Sequence, residues 1–246
     1  KNDHELKVAL IGGIATRKTQ RGKHLFTALM NHAINTHEDN VGLFILWSDL
    51  ENLYEKFSFY RTGGFLETGK QIFTDSDRPS GFEKTTFSEL SDKDFSAIMQ
   101  LYKNFNQKHF FTVTRDEKDW SIIREMNSIN LFIKRNSKNE IEKYFCINKG
   151  RDLTNIIHEV SCLSLVEYHT LMKKIGHFKV WLPESESIHF QLNEIFYTAF
   201  MRLGSETRLK TFLEKVTQGD LKMKKKENDC IHFTFKNKCK VPLRSK

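Results

Sequence analysis

Four basic residues surround a single glycine in the stretch 14–30 of this chain. Arg17, Lys18, Arg21 and Lys23 lie around Gly22, and a helical pattern of apolar residues begins directly afterwards. The first N–H groups of a helix have no internal acceptor, and the helix dipole favours an anion at that end. Cations beside such N–H groups are typical of a phosphate or diphosphate site. An ordinary solvated turn is the alternative interpretation of the same residues.

The elements on either side of this loop would hold it in position. An apolar segment at residues 7–11 predicts a strand, and the spacing of Leu25, Leu29 and Ala33 predicts a helix. The order strand, basic loop, helix places the cations at the start of the helix. The loop has neither the Gly-Lys-Ser/Thr of a Walker loop nor the three spaced glycines of a dinucleotide fingerprint.

A second group of motifs follows the helix. Residues 41–47 predict a buried strand, and Ser48-Asp49 can cap a short helix over residues 50–56. Residues 57–62 return to an extended pattern, which Gly63-Gly64 interrupts. The expected order is therefore strand, basic loop, helix, strand, short helix, strand.

Two motifs in this order resemble the acetyl-CoA half of the GCN5-related N-acetyltransferase (GNAT) family. They are Ile14-Ala-Thr … Arg21-Gly-Lys-x-x-x-x-Ala-Leu-Met30 and Leu46-Trp-Ser-Asp49 … Leu53-Tyr-Glu-Lys-Phe-Ser-Phe59. The resemblance covers about residues 7–66. It implies an α/β fold with a mixed α+β sheet, the GNAT-type acyl-CoA N-acyltransferase fold, and acetyl-CoA as the cofactor.

The resemblance also implies roles for single residues. Backbone groups at the end of the first strand would contact the pantetheine arm: Ile14, Ala15 and Thr16. The pyrophosphate loop of the family falls on six residues: Arg21, Gly22, Lys23, His24, Leu25 and Phe26. Tyr54 falls on the tyrosine that protonates the departing CoA thiolate in many members, and a phenol can act as such a general acid. A core tyrosine that packs the short helix is the alternative for Tyr54.

Three positions depart from the family pattern. His24 and Phe26 stand where the loop has small residues, which let the backbone approach phosphate closely. Ser58 stands where a glycine precedes the last aromatic residue of the second motif. His24 could donate a hydrogen bond to phosphate or obstruct it, and Phe26 could turn into the core.

Composition limits the other classes of function. The 246 residues are 39% hydrophobic with 21 Phe, which is enough for one large or two small packed domains. No apolar run approaches the roughly 18–20 residues that span a bilayer. The four Cys and ten His show no metal-ligand spacing, so no metal and a reducing, cytoplasmic location are expected. His158 and Glu159, a weak candidate pair for a base, point to opposite faces of a predicted strand.

Residues 82–162 repeat the order of a GNAT front half: strand, two helices and three strands. Residues 163–182 continue as helix and strand, without a basic loop. In a tandem arrangement, residues 1–75 are the C-terminal half of an acetyl-CoA-binding GNAT domain and residues 82–246 are a second, degenerate one. In a permuted arrangement, residues 82–162 complete the first half. We favour the tandem arrangement, with the front elements of the first domain trimmed or supplied from elsewhere.

The last quarter of the chain predicts two helices and a hairpin. Apolar spacing indicates helices at residues 193–203 and 206–216. Residues 221–226 and 231–235 predict a closing hairpin, whose lysines fit a solvated edge strand better than a nucleic-acid surface.

The sequence therefore predicts an N-acetyltransferase that moves an acetyl group from acetyl-CoA to a primary amine by direct attack. The acceptor, a small molecule or a protein, cannot be named from the sequence. A catalytically inactive GNAT-like binding or scaffold protein is the first alternative, supported by His24 and Phe26. A basic nucleic-acid-binding module is the second, because the net charge is +8.

Overall fold

The structure is a computed structural model that describes residues 4–48, 50–106, 113–151, 153–183, 192–196, 199–217, 221–225 and 231–235. Its strands are β1 (Val8–Leu10), β2 (Leu43–Leu46), β3 (Tyr60–Thr62), β4 (Phe65–Thr68), β5 (Phe82–Thr85), β6 (Asn130–Arg135), β7 (Ile141–Ile147), β8 (Ile157–Cys162), β9 (Val180–Pro183), β10 (Leu192–Phe196), β11 (Ala199–Leu203), β12 (Leu221–Lys225) and β13 (Ile231–Phe235). Its α-helices are α1 (Leu25–His37), α2 (Glu51–Glu55), α3 (Asp92–Asn106), α4 (Glu117–Arg124), α5 (Leu165–Ile175) and α6 (Glu206–Val216).

The chain divides into two compact units, each with its own sheet. Unit 1 comprises Lys1–Gly63 and Tyr197–Lys246, and unit 2 comprises Gly64–Phe196. The sheet of unit 1 has the strand order β1-β2-β11-β3, and the sheet of unit 2 has the order β10-β4-β9-β8-β7-β6-β5. Both sheets contain one parallel pair among antiparallel neighbours. This confirms the predicted mixed α/β class.

Two strands that are adjacent in sequence contribute to different sheets. β3 pairs with β11 in unit 1, whereas β4, which begins three residues after β3 ends, pairs with β9 and β10 in unit 2. The same happens between β10 and β11, because β10 pairs with β4 and β11 pairs with β2 and β3. The chain changes units at Gly63, whose φ of 72° lies in the left-handed region that favours glycine.

The predicted helix at residues 193–203 is wrong. The structure has β10 and β11 in this segment instead. Short apolar runs fit both a buried helix and a buried strand, and here tertiary pairing decides the outcome. Phe200 is fully buried because β11 is the central strand between β2 and β3. The helix predicted at residues 206–216 and the hairpin of β12 and β13 are confirmed.

The elements predicted between residues 82 and 182 are also present. β5, β6, β7 and β8 form an antiparallel series, and β8 is parallel to β9 with α5 between them. The hydroxyl of Ser91 accepts a hydrogen bond from the Asp94 N–H at 3.2 Å and so caps the start of α3. Within the described residues, β5 to β8 pair with each other and with β9 rather than with β1.

The core of unit 1 holds the basic loop in place. α1 buries Met30 and Ile34 against Phe44 and Leu46 of β2. Each such side chain contributes roughly 1.5–3 kcal/mol when it is removed from water. Because β1 and β2 are parallel with α1 between them, the end of β1 and the start of α1 lie at the same edge of the sheet, with the loop joining them.

No α-helix in the described part of the chain is long and apolar enough to cross a membrane.

Candidate functional site

The loop between β1 and α1 passes three times through left-handed backbone. Gly13 has φ 66°, Gly22 has φ 80°, and His24 has φ 55° with ψ 17°. A Cβ at Gly22 would meet open space, so its φ angle is what requires glycine there. Histidine is among the residues that accept left-handed backbone more readily than most. His24 can therefore take the position immediately before α1 although it is not a small residue.

No side chain among the described residues caps the start of α1. The first helical hydrogen bond runs from the Ala28 N–H to the His24 carbonyl at 3.0 Å. The N–H groups of Leu25, Phe26 and Thr27 therefore have no acceptor inside the helix. The His24 side chain makes no capping hydrogen bond, and the first turn contains no acidic residue. This leaves the positive end of the helix dipole available to an anion.

The cations of the loop are exposed, and the described part of the chain gives them no carboxylate partner. The chain has no Asp or Glu between Val8 and His37. The only side-chain contact that the described residues give a loop cation joins Lys23 Nζ to Gln20 Oε1 at 2.9 Å. Arg17 and Arg21 are thus free to pair with a ligand, and such pairs are stronger when the donor is charged.

Two cavities lie against this loop. The first, of about 230 Å³, is lined by Thr16, Gln20, Arg21, Gly22, His24, Leu25 and Phe26. The second, of about 200 Å³, is lined by Ile14, Ala15, Thr16, Arg17, Gln20, Leu25, Phe26 and Leu29. The first contains Arg21 and the glycine turn, and the second is mostly apolar. A ligand with an anionic and a less polar part would match this pair of cavities.

Phe26 joins the loop to the buried tyrosine of α2. Its ring lies edge-on to Tyr54, with centroids 5.9 Å apart, and edge-on to Phe57 at 5.7 Å. Lys56 Nζ lies 5.4 Å from the Phe26 centroid. Tyr54 is buried and packs on Phe200 as well. Phe26 is only half-buried, so it both packs on the core and lines the two cavities.

Ser58 stands where the family pattern has a glycine, and its backbone adopts a conformation that favours glycine. It has φ 61°, in the left-handed region where glycine is favoured. The Ser58 N–H donates to the Glu55 carbonyl at 2.8 Å, and the Phe59 N–H donates to the Tyr54 carbonyl at 3.3 Å. The turn that ends α2 therefore keeps the geometry of a glycine turn with a serine in it.

The corresponding helix start in unit 2 is capped by its own residues. α5 follows β8, and the Ser164 hydroxyl accepts a hydrogen bond from the Glu167 N–H at 3.2 Å. Glu167 also places a carboxylate in the first turn. The exposed residues beside it are apolar: Leu163, Leu165 and Val166. This end of α5 offers neither free cations nor an open dipole to an anion.

Sequence reasoning missed a buried ion pair in unit 2. The two terminal guanidinium nitrogens of Arg115, Nη1 and Nη2, donate to the carboxylate of Glu159, and the Tyr144 hydroxyl donates to the same carboxylate at 2.7 Å. The guanidinium also stacks on Tyr102, 3.9 Å from the ring centroid, and on Trp120 at 4.9 Å. Burial alone would raise the pKa of Glu159, but the Arg115 charge and the hydrogen bonds outweigh it and lower that pKa.

The predicted site residues of the loop come together, with some exceptions. Ile14, Ala15, Thr16, Arg21, Gly22, His24, Leu25 and Phe26 line one or both cavities, whereas Lys23 lines neither. Gln20 and Leu29 line cavities and were not predicted. The signal for Leu29 was its place one helical turn after Leu25. Asp49 lies outside the described residues.

The comparison with known proteins finds a family match in the same part of the chain that carries the candidate site. Residues 2–65 match the sequence model of the acetyltransferase (GNAT) domain. No curated protein matches the chain. The match of residues 2–65 confirms the extent of the resemblance seen in the sequence.

Solved structures with a similar fold include two proteins described as GCN5-related N-acetyltransferases. A conserved protein of Enterococcus faecalis V583, described as a probable N-acyltransferase, is 15% identical with a TM-score of 0.55 over 93% of this chain and 67% of its own. A GCN5-related N-acetyltransferase of Kribbella flavida is 12% identical with a TM-score of 0.54, over 81% and 53%. One of Anabaena variabilis ATCC 29413 is 15% identical with a TM-score of 0.52, over 83% and 57%. This chain thus spans 53–67% of the length of these proteins. Residues 2–65 therefore match the GNAT domain model, and the chain shares its fold with solved GCN5-related N-acetyltransferases.

Proposed function

We propose that this protein is an N-acetyltransferase that uses acetyl-CoA to acetylate a primary amine by direct attack. The observation that carries the proposal is the uncapped, carboxylate-free start of α1, with Arg21 and His24 around a cavity. A diphosphate fits these residues because it would receive both charge and N–H donors there. The mostly apolar second cavity, with Ile14, Ala15 and Thr16 on its wall, suits the pantetheine arm.

The chain's residues would divide the work between binding and proton transfer. Acetyl-CoA supplies a thioester whose acetyl group passes to the amine. Arg21, Lys23 and the N–H groups of Leu25 and Phe26 would hold the diphosphate. Tyr54 would donate a proton to the thiolate that leaves, since a phenol close to the sulfur can act as a general acid. The base that deprotonates the amine is not among the residues we assign.

The domain limits belong to the same proposal. Residues 1–75 would be the C-terminal half of the acetyl-CoA-binding GNAT domain, and residues 82–246 a second, degenerate GNAT-like domain. Each of these stretches contributes one strand to the sheet formed mainly by the other, β4 from the first and β11 from the second. The capped start of α5 supports a second domain that does not bind CoA.

An inactive GNAT-like scaffold is the second candidate function. The observation that favours it is Phe26, whose ring lines both cavities where the family has a small residue. A scaffold would bind CoA without turnover, or would not bind it. An acetyltransferase would bind it and release the free thiol only when an amine is present.

The test is release of free CoA thiol from acetyl-CoA with a panel of amines: a lysine peptide, a free peptide N-terminus, a polyamine, an aminoglycoside and amino acids. The Tyr54→Phe variant keeps the ring contacts and removes the hydroxyl, so we expect kcat to fall by about 10²–10⁴-fold with the acetyl-CoA Kd unchanged. Tyr168→Phe removes the hydroxyl of another buried tyrosine, far from the loop in sequence, and should leave kcat unchanged.

The outcomes separate the two candidates. Amine-dependent thiol release that Tyr54→Phe abolishes supports the enzyme and its general acid. Equal rates for Tyr54→Phe and the wild type would reject the role of Tyr54. Binding of acetyl-CoA without release for any amine would favour a scaffold that binds CoA, and no binding at millimolar acetyl-CoA would reject the enzyme and leave a scaffold that does not bind CoA.

A further inference from the structure

A lysine of unit 1 rests on two aromatic rings beside the candidate anion site. Lys56 Nζ lies 5.4 Å from the Phe26 centroid and 5.1 Å from the Phe57 centroid. Lys56 directly follows α2 and is exposed, whereas Phe57 is buried. Lys56 lines neither cavity, yet its ammonium is next to a ring that forms part of the wall of both.

Phe26 connects this lysine to the start of α1. Its N–H is one of the three that have no acceptor inside the helix, since the first helical hydrogen bond runs from Ala28 to His24. Its ring lines both cavities and carries Lys56. One side chain therefore separates the Lys56 ammonium from an anion bound at the start of α1. A lysine has a flexible four-carbon stem, which can cover such a distance.

Lys56 differs from the other cations over aromatic rings in its lack of a counter-charge. Within the described residues, no carboxylate forms an ion pair with Lys56. The Lys56 ammonium and the positive end of the α1 dipole thus lie near each other without a neutralising group, which is an arrangement that an anion stabilises. Each arginine that the structure shows over a ring is also paired with a carboxylate: Arg115 with Glu159, Arg124 with Asp92 and Arg202 with Glu38.

A phosphate is a stronger partner for this ammonium than the two rings are. A cation over an aromatic face is held by the ring quadrupole, and that attraction is weak where the cation is in contact with water. A hydrogen bond between an ammonium and a phosphate oxygen joins two opposite charges and is stronger. We therefore expect Lys56 Nζ to leave the rings when a diphosphate binds at the start of α1.

We propose that Lys56 is a further cation of the diphosphate site, held on the rings of Phe26 and Phe57 until the ligand binds. Its Nζ then donates to a diphosphate oxygen from the end of α2, while Arg21 and Lys23 donate from the loop. Phe26 holds this lysine near the site, which gives the large ring a function where the family pattern has a small residue. The inference rests on the diphosphate site of the proposed function.

The test is calorimetric titration of the protein with inorganic pyrophosphate, which carries the diphosphate charge without the rest of CoA. Lys56→Met keeps an unbranched side chain on the rings and removes the charge, so we expect the Kd for pyrophosphate to rise about tenfold. Lys118→Met is the matched control, because it removes an exposed lysine from α4 of unit 2. It should leave the Kd unchanged.

A double-mutant cycle tests whether Phe26 holds the lysine or obstructs the ligand. Phe26→Leu should weaken pyrophosphate binding, and Lys56→Met should have a smaller effect in that background than in the wild type, because the two residues act together. Tighter binding in Phe26→Leu would overturn the proposal, since the ring would then obstruct the site. An equal effect of Lys56→Met in both backgrounds would also overturn it.

A measurement on the wild type stands even if a variant fails to fold. The ε-methylene protons of Lys56 lie over aromatic rings, so their NMR signal should be shifted upfield and should return towards the ordinary lysine position when pyrophosphate is added. A signal that pyrophosphate leaves in place would overturn the inference.

The outcomes also separate this inference from the proposed function. Acetyl transfer in the wild type, with an unchanged pyrophosphate Kd in Lys56→Met or no pyrophosphate binding at all, would overturn the role of Lys56 alone. Pyrophosphate binding that depends on Lys56, with no release of thiol from acetyl-CoA for any amine, would support the role of Lys56 and count against the acetyltransferase.

Discussion

The start of α1 in unit 1 and the start of α5 in unit 2 follow the same kind of parallel strand but present opposite chemistry. α1 begins without a cap or a carboxylate, whereas the start of α5 is closed by Ser164 and Glu167. Two helix starts in equivalent places of one fold can therefore differ completely in their affinity for an anion. The candidate function lies in the loop and the cap residues and does not follow from the fold.

The cations of the two units differ in the same way. The basic residues of the unit 1 loop are exposed, and the nearest carboxylates in sequence are Glu5 and Glu38. In unit 2, Arg115 is held between Glu159 and two aromatic rings. A partnered, buried cation stabilises the fold that contains it, and an exposed cation without a partner remains available to a ligand.

The largest effect on stability should come from breaking the buried pair of unit 2. Glu159→Gln leaves the Arg115 charge buried without its counter-charge. We therefore expect the free energy of unfolding, measured by denaturant titration, to fall by about 3 kcal/mol. Asp92→Asn is the control, because the Asp92 side chain is 91% exposed in its pair with Arg124 and should cost no more than about 0.5 kcal/mol. Equal effects of the two substitutions would contradict the difference we draw between paired and free cations.

The same pair predicts a dependence of stability on pH. The folded pKa of Glu159 is lowered, so its contribution is present above the ordinary glutamate value of 4.5 and is lost as pH falls through the folded pKa. Glu159→Gln should therefore flatten the acid side of the stability profile. A variant profile that stays parallel to the wild type below pH 4.5 would argue against this assignment.

A smaller effect is expected at the turn after α2 in unit 1. Among the described residues, the left-handed residues of unit 2 other than glycine are Asn139, Asn148 and Asn155, whereas those of unit 1 are His24 and Ser58. Left-handed backbone costs a non-glycine residue about 1–2 kcal/mol, so Ser58→Gly should raise the free energy of unfolding by about 1 kcal/mol. Ser121→Gly, in the exposed middle of α4, should lower it by a similar amount. A loss of stability in Ser58→Gly would show that the serine hydroxyl matters more than the φ angle.

Local patterns in the sequence were enough for the elements around the candidate site. The apolar run before the loop, the spacing of Leu25 and Leu29, and the resemblance over about residues 7–66 predicted β1, α1, β2 and α2 and most of the residues that line the cavities. Each of these patterns depends only on residues that are close together in sequence, so it can be recognised without the tertiary structure. The order of elements from residue 82 to residue 182 was predicted for the same reason.

Long-range pairing was not predictable in this way. Residues 193–203 were predicted as a helix but form β10 and β11. The sequence pattern could not show this, because the strands that pair with β11 lie more than 130 residues away in sequence. Arg115 and Glu159 are 44 residues apart, and nothing near either residue in sequence marks the pair. The role of Phe26 as the contact between loop and Tyr54 likewise required the packing of α1 on α2.

A calorimetric titration of the protein with acetyl-CoA tests the central claim most directly. We predict one molecule bound per chain, because α1 offers an open helix start and α5 does not, and loss of that binding in Arg21→Glu but not in Lys173→Glu of α5. Absence of binding, two molecules per chain, or binding that Arg21→Glu leaves unchanged would contradict the claim that the loop of unit 1 is the diphosphate site.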